Sequence, residues 1–373
     1  MKTILALLLS LTIPLAGQNR IGLEPHSSRP LLDMRGVVGV VPHAAGIDVY
    51  WQRTNELETP IRSKLMRTTV SSDGTSRLSR VLLKEFDDDG WAAGVDGEGT
   101  NVQAIWKNFS GGIMASPVVN GALKYPEGKL VSFGDYPYIT CHASECAVIS
   151  TWVGQRATIL DADSNVVGSF TLPDGFHQLR VSFSERGLFY VRNQLKQARA
   201  ALVRRDGSVQ YDVAIVDTDA MAFETSALAV VANGTQHVVA FVDFAPEPVE
   251  VHAVTISDDG TMSEPVRLAQ AAPSYPDHPS HVASLSLAWN GTTYVLGYGG
   301  GGSALRRFDS AFHPLDAEPQ LDGDWPSVSV HADGQRFVIA WSARKPYVTI
   351  LSPNGEMTPR LEIDPTPRRR SVR

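Results

Sequence analysis

The sequence has 373 residues, a net charge of −7, 43% hydrophobic residues and 20% charged residues. This length accommodates one large domain or two ordinary ones, and the apolar fraction is sufficient for a sizeable core. The negative charge gives no reason to expect nucleic-acid binding, because a phosphate backbone attracts a basic surface.

The first 17 residues have the layout of a secretory signal peptide. Lys2 precedes an apolar stretch over residues 4–13, and small and turn-forming residues lead to Gly17. A buried N-terminal strand is the alternative. The stretch is too short to span a bilayer, and no later segment is long and apolar enough to do so. Gln18 stands where a lipoprotein signal requires Cys. We therefore expect a soluble secreted or periplasmic protein.

A hairpin motif recurs along the rest of the chain. Its clearest copies, over 228–241, 285–298 and 328–341, have a strand, an Asn-Gly or Asp-Gly turn, and a second strand that ends in an aromatic residue. These dipeptides tolerate the positive φ angles of tight hairpins. Counting four weaker copies, we predict turns near residues 46, 97, 145, 187, 234, 291 and 334. The spacing is close to the roughly 40–50 residues of a propeller blade.

A third and a fourth strand follow most of these hairpins. Third strands are predicted at 64–70, 201–205, 251–256 and 348–351, and fourth strands at 81–83, 209–215, 266–268 and 361–363. One blade cannot bury both faces, so neighbouring blades must stack, and a closed ring covers all of them. We therefore predict an all-β fold, a β-propeller of about seven four-stranded antiparallel blades. Two β-sandwich domains are the alternative.

The domain boundaries follow from this repeat. We predict a signal peptide at 1–17, an N-terminal extension at 18–35, the propeller at 36–364, and a basic disordered tail at 365–373. The repeats resemble those of secreted bacterial β-propeller proteins, in which a strand, an Asn-Gly turn and a strand ending in Trp recur. The resemblance covers nearly all of the mature chain. It implies the architecture and not the activity, because propellers host many unrelated functions.

The two cysteines, Cys141 and Cys146, lie on opposite arms of one predicted hairpin. Cross-strand neighbours come close enough to form a disulfide, and an exported protein meets an oxidising compartment. We therefore predict a Cys141–Cys146 disulfide, with two free thiols as the alternative. Two cysteines are too few for a zinc site.

Several short motifs do not support a cofactor or a metal. The G-x-G-x-x-G pattern at 297–302 is followed by a predicted strand, 304–308, whereas a dinucleotide site needs a helix there. The segments 71–75 and 257–261 are similar to the Asp-box of sialidase-type propellers but are too compact and lack its aromatic residue. We interpret the histidines of 277–281 as solvated loop residues. The sequence predicts no cofactor and no metal.

The connections between successive blades combine Asp with aromatic residues. In a propeller these connections lead from the outer strand of one blade to the inner strand of the next, and so gather around one mouth of the central channel. Such loops often bind ligands. The candidates for a ligand face are Asp89, Trp91, Asp135, Tyr136, Asp277, His278, Asp324 and Trp325. A purely structural role is the alternative, because Asp suits turns and Pro suits strand starts.

Two classes of function remain open. The first is a secreted or envelope-associated binding or scaffold propeller, a monomer with a glycan, peptide or protein ligand. The second is a carbohydrate-active hydrolase or lyase with paired carboxylates at the channel mouth. The sequence shows no recognised nucleophile or metal motif, which favours the first class. We can assign no catalytic residues, and we expect neither a nucleic-acid partner nor a membrane span.

Overall fold

Seven antiparallel sheets follow one another along the chain, each formed from consecutive strands. This computed structural model describes residues 33–55, 62–86, 91–98, 100–135, 137–150, 155–173, 176–194, 197–217, 228–234, 236–243, 249–270, 284–299, 303–321, 327–342 and 345–365. The predicted signal peptide and the last eight residues lie outside these ranges. Within them, no helix is long and apolar enough to cross a membrane.

The sheets are the blades of the propeller, and we number them in chain order. Blade 1 contains β1 (Asp33–His43), β2 (Gly46–Asn55), β3 (Arg62–Val70) and β4 (Arg77–Phe86). Blade 2 contains β5 (Trp91–Glu98), β6 (Asn101–Lys107), β7 (Gly112–Val119), β8 (Ala122–Leu123) and β9 (Lys129–Phe133). Blade 3 contains β10 (Tyr138–His142), β11 (Glu145–Ser150), β12 (Arg156–Leu160) and β13 (Val166–Thr171).

The other four blades repeat this order. Blade 4 contains β14 (Phe176–Ser184), β15 (Gly187–Gln194), β16 (Gln197–Val203) and β17 (Val209–Asp217). Blade 5 contains β18 (Leu228–Ala232), β19 (Gln236–Asp243), β20 (Glu250–Ser257) and β21 (Val266–Gln270). Blade 6 contains β22 (Ser284–Trp289), β23 (Tyr294–Gly299), β24 (Ser303–Phe308) and β25 (Gln320–Leu321). Blade 7 contains β26 (Ser327–Asp333), β27 (Arg336–Ser342), β28 (Tyr347–Leu351) and β29 (Leu361–Glu362).

The architecture confirms the predicted seven-bladed propeller. In blade 2 the fourth strand is β9, which pairs with β7, and β8 is a short additional strand. The strand β24 stands where the G-x-G-x-x-G pattern would need a helix. The propeller boundary predicted at residue 36 falls inside β1.

A tight hairpin joins the first two strands of each blade, as the sequence predicts. One turn lies elsewhere than expected. We predicted it at Gly97–Gly99, but Gly97 pairs with Val102 within the ladder and the strand continues to Glu98, which pairs with Asn101. Gly97 is needed for a different reason, because a Cβ there would lie 2.3 Å from the carbonyl oxygen of Asn101.

The first strand of each blade is the innermost. Each of these strands contacts the first strand of the next blade, from β1 and β5 to β22 and β26, and β1 also contacts β26 and β27. They therefore surround the central axis and close the ring. The second strands are covered on both faces by neighbouring blades, which is why they are apolar along almost their whole length.

Each pair of neighbouring blades shares a hydrophobic cluster. The cluster between blades 7 and 1, for example, packs Trp51 of β2 against Val338 of β27 and Ile350 of β28. Thr68 and Arg80 add polar contacts there: the Thr68 hydroxyl donates to the Ile363 carbonyl at 3.3 Å, and Arg80 lies 3.1 Å from the buried carboxylate of Asp364. Among the described residues, the ring thus closes through side-chain contacts between blades 7 and 1, and neither blade borrows a strand from the other.

The Asp-Gly segments between third and fourth strands are structural turns. In blade 5 the Asp259 carboxylate accepts the Thr261 backbone N–H at 2.9 Å and the Ser257 hydroxyl at 2.7 Å, and these hydrogen bonds hold its pKa below the usual value. Gly260 has φ +86° and lies against Tyr211 of blade 4. The resemblance to an Asp-box is therefore one of turn chemistry.

Candidate functional site

One position on the second strand of each blade decides how well neighbouring blades fill the space between them. It is the sixth residue of the strand, counted from the residue after the two-residue hairpin loop. From blade 1 to blade 7 the residues there are Trp51, Trp106, Ser150, Arg192, Phe241, Tyr298 and Trp341. Each described side chain at this position faces the preceding blade. Five of the seven positions therefore place an aromatic ring between blades.

Ser150 is the smallest of these seven side chains, and a cleft opens beside it. The cleft between blades 2 and 3 has a volume of about 420 Å³. The hydrophobic cluster below it contains only aliphatic side chains among the described residues, from Ile105 of blade 2 to Leu160 of blade 3. Because no ring of a described residue fills this interface, the space above the aliphatic cluster is accessible to a ligand in the described part of the structure. We call it the 2/3 cleft.

The lining of the 2/3 cleft combines apolar walls with hydroxyl groups. The residues that line it are Leu130, Val131, Ser132, Phe133, Ser150, Arg156, Thr158, Val166 and Ser169. Ser150 and Thr158 are only 3% and 2% exposed, so they form the floor of the cleft. The hydroxyls of Ser132 and Ser150 are 3.3 Å apart and join the two blades.

Phe133 forms an exposed apolar rim on the blade 2 side of the cleft. Its side chain is 65% exposed, although free phenyl surface is unfavourable in water. Phe109, 77% exposed, is the other exposed aromatic residue among those whose burial is described. A backbone hydrogen bond from Gly134 N to the Gly111 carbonyl, 3.1 Å, ties together the two segments that carry these rings. Blade 2 therefore concentrates the accessible aromatic surface of the described chain.

A second, smaller cleft lies on the other side of blade 2, against blade 1. It has a volume of about 370 Å³ and is lined by Phe109, Trp106, Lys84 and neighbouring residues. Lys84 lies over the Trp106 ring, 5.2 Å from its centroid, and 3.7 Å from Glu127. The charges of this cleft are thus largely compensated within the protein.

Most of the residues predicted for the ligand face lie outside the described residues, namely Asp89, Tyr136, Asp277, His278, Asp324 and Trp325. Trp91 begins β5, where its backbone pairs with Lys107. Asp135 lies two residues beyond Phe133, and its carboxylate forms an ion pair with Lys107. The ligand face therefore stays a prediction, although the one described carboxylate of the set adjoins the segment that bears Phe133.

The importance of Ser150 is not evident from the sequence, because the aromatic residue nearest to it in this segment is Trp152, two residues later. The described part of β11 runs to Ser150, and residues 151–154 lie outside the described residues. The register of the hairpin is fixed by the pairs Cys141–Cys146 and His142–Glu145. Counting from Glu145 rather than from the nearest tryptophan would have revealed a serine at the position that is aromatic in most blades.

The predicted disulfide joins Cys141 and Cys146 within the β10–β11 hairpin, with 4.0 Å between the Cα atoms. The Cys141 backbone N–H donates to Asp96 of blade 2 at 2.8 Å. The bridge therefore fixes the hairpin at the end of the blade interface that lies away from Ser150. Within the described ranges, no three His, Cys, Asp or Glu side chains come together as metal ligands.

Solved structures share this fold. No protein-family model and no curated protein matches the sequence. The BP39L lectin of Burkholderia pseudomallei matches with a TM-score of 0.62 at 11% identity, over 89% of this chain and 100% of the lectin chain. A prolyl endopeptidase matches with a TM-score of 0.54 at 13% identity, over 88% of this chain and 50% of its own.

A peptidase from Pyrococcus horikoshii, acylaminoacyl peptidase, matches with a TM-score of 0.50 at 9% identity, over 87% of this chain and 52% of its own. This chain therefore spans about half the length of the two peptidases. Identities this low show a shared fold and do not carry function from one protein to another. The chain has the fold of a β-propeller.

Proposed function

We propose that this protein is an exported, non-enzymatic binding propeller and that it holds a glycan in the 2/3 cleft. The observation that carries the proposal is Ser150, which leaves open an interface position that other blades fill with a ring. A glycan suits the lining because sugar hydroxyls both donate and accept hydrogen bonds, as Ser and Thr hydroxyls do. The fold likeness to a lectin agrees with this choice.

The apolar rim supports the same ligand class. A sugar ring has one face of C–H groups, and an exposed phenyl ring such as Phe133 offers it a flat apolar surface. Burial of Phe133 by the ligand would remove apolar surface from water, which is worth about 25 cal/mol per Å². Hydroxyls in the floor and a ring on the rim are the combination of apolar walls and few polar groups found in small-ligand sites.

The hydrolase alternative receives no support from this cleft. Glycoside hydrolysis generally requires two carboxyl groups about 5–10 Å apart. The described residues that line the 2/3 cleft include no Asp and no Glu. A binding function needs only affinity, for which the hydroxyls, the ring and the volume of the cleft suffice.

A glycan array probed with the folded protein tests the proposal. We expect the wild-type protein to bind a glycan and Ser150→Trp to lose this binding. The indole would fill the 2/3 cleft, just as Trp106 and Trp341 fill the corresponding space at their own blade interfaces. Phe133→Ala should weaken binding about tenfold, and Leu315→Ala, which removes an exposed apolar side chain of blade 6, should leave it unchanged. Absence of any bound glycan, or binding that survives Ser150→Trp in a folded protein, would contradict the proposal.

Export is the second part of the proposal. It is supported by the signal-like segment before Gln18 and by a disulfide of the kind that persists in oxidising compartments. N-terminal sequencing of protein recovered from the periplasm or the medium should find a chain that begins near Gln18. A chain that keeps Met1 and stays in the cytoplasm would refute export without affecting the binding site.

A further inference from the structure

Among the described residues, the wall of the 2/3 cleft carries one positive charge, that of Arg156. Arg156, the first residue of β12, pairs with Ser150 in the ladder, so its side chain begins directly beside the open position. Its Nη2 donates to the Ser169 hydroxyl at 2.5 Å. No Asp or Glu of the described residues forms an ion pair with it, and none lines the cleft.

Blade 4 shows what the same position looks like when its charge is compensated. Arg199 pairs with Arg192 just as Arg156 pairs with Ser150. The Arg199 Nε donates to the carboxylate of Asp212 at 2.9 Å, and Arg192 contacts the same carboxylate at 2.5 Å. Blade 4 therefore supplies an internal carboxylate for its arginines.

The partner position in blade 3 holds a serine instead. Asp212 pairs with Ala201, two residues after Arg199, and Ser169 pairs with Thr158, two residues after Arg156. Ser169 of blade 3 therefore occupies the position equivalent to that of Asp212 in blade 4. Arg156 keeps a hydrogen bond to this serine, which orients the guanidinium, but the positive charge has no carboxylate partner among the described residues.

We propose that the ligand supplies the missing carboxylate, so that the 2/3 cleft selects acidic saccharides, those containing uronic or sialic acid, over neutral ones. This inference rests on the proposed function and specifies its ligand. A guanidinium group binds a carboxylate through two parallel N–H···O bonds, which are stronger than bonds between neutral groups. The hydroxyls of Ser150 and Thr158 would then bind the sugar hydroxyls, and Phe133 would cover a C–H face.

The experiment compares matched saccharides that differ only in charge. Oligosaccharides of glucuronic acid and of glucose, with the same linkage, are titrated calorimetrically, together with a sialylated glycan and the same glycan with its sialic acid carboxyl converted to the methyl ester. We expect at least one acidic member to bind about 10- to 100-fold more tightly than its neutral match, the range of a charged hydrogen bond. Raising the salt concentration should reduce only the acidic affinity.

Two substitutions of Ser169 distinguish the effect of charge on binding from the effect of side-chain shape. Ser169→Asp reproduces the arrangement of blade 4 and should abolish the preference for the acidic member. Ser169→Asn introduces a side chain of nearly the same size as Asp but without its charge, so this variant should retain the preference. Arg156→Gln should also remove the preference for the acidic member. Arg156 and Ser169 are both exposed, so we expect all three variants to fold. Circular dichroism checks that they do.

Equal affinity for acidic and neutral members, or a preference that persists in Arg156→Gln, would overturn the inference while leaving the proposed glycan binding intact. If neither member of any pair binds and the glycan array is also blank, the proposed function fails, and the inference fails with it.

Discussion

Two ionisable residues between blades have pKa values shifted by burial, and they change stability in opposite directions over nearly the same pH range. His237 is stacked on Phe189 with 4.0 Å between ring centroids, and burial lowers its pKa to about 4. Asp96 is a partly buried carboxyl whose pKa is raised by burial to about 6. The structure therefore disfavours the charged form of both groups.

The sign of each effect follows from which state binds the proton more tightly. The unfolded chain protonates His237 near pH 6.5 and the folded protein near pH 4, so the contribution of His237 to stability is present above pH 6.5 and is lost as the pH falls towards 4. The contribution of Asp96 to stability depends on pH in the opposite direction. It is present below about pH 4 and is lost as the pH rises through about 6.

At the residue scale, we predict that His237→Phe makes the protein less sensitive to acid. Phenylalanine keeps the stack on Phe189 and cannot take up a proton. Between pH 7 and pH 4.5, wild type should lose on the order of 2 kcal/mol more unfolding free energy than the variant. Urea denaturation at the two pH values measures this. Part of the acid sensitivity should persist in the variant, because burial also lowers the pKa of His331 to about 4; identical pH profiles would contradict the prediction.

At the scale of the element, the turn between the third and fourth strands positions one blade against the preceding one. Gly260 of blade 5 has φ +86°, and a Cβ at this residue would lie 2.9 Å from Cγ of Tyr211 in blade 4. Gly234, in the hairpin of the same blade, has φ +90°, but no described atom lies within 4 Å of its Cβ position. The two glycines share a backbone requirement and differ in packing.

Substitutions of Gly234 and Gly260 distinguish the free-energy cost of backbone strain from the cost of disturbed packing between blades. Gly234→Ala should cost about 1–2 kcal/mol, the penalty of the left-handed conformation for a residue with a side chain. Gly260→Ala should lower the free energy of unfolding by about 1–3 kcal/mol more than Gly234→Ala does, because the methyl group must displace the Tyr211 ring. Chemical denaturation of the two variants provides the comparison. Equal losses would show that the turn does not position the neighbouring blade.

At the scale of the whole molecule, stability depends on ring closure, and no described strand is shared between blades 7 and 1. Blades 7 and 1 meet through the cluster around Trp51 and through polar contacts, among them Arg336 Nη1 donating to the Ser72 carbonyl at 2.6 Å. Every blade buries both faces against its neighbours. Removal of one blade therefore exposes two hydrophobic faces at once.

We predict that a chain lacking residues 328–363 aggregates or loses structure throughout, rather than losing only blade 7. The deletion would expose the faces of blade 1 around Trp51 and of blade 6 around Leu305. Size-exclusion chromatography and thermal melting, with the full chain as the control, test this. A soluble monomeric fragment that melts at the same temperature would indicate blades that are stable independently of ring closure.

The blade and its repetition follow from the local chemistry of the sequence. Dipeptides such as Asn233-Gly234 allow only a few tight turns, and apolar strands ending in Trp341 or Phe241 must be covered on both sides, so local chemistry predicts hairpins that stack. The spacing of the two cysteines predicted the disulfide in the same way.

The place where the ring of blades is incompletely packed depends on contacts between blades, which the local sequence does not reveal. Ser150 and Ser169 are ordinary residues in the sequence, and each becomes significant only beside its counterparts in other blades, Trp106 and Asp212 among them. A shift of one residue in a strand moves every side chain to the other face. Ser150 and Ser169 therefore become recognisable only when the blades are compared in register, and the cleft itself exists only between two neighbouring blades.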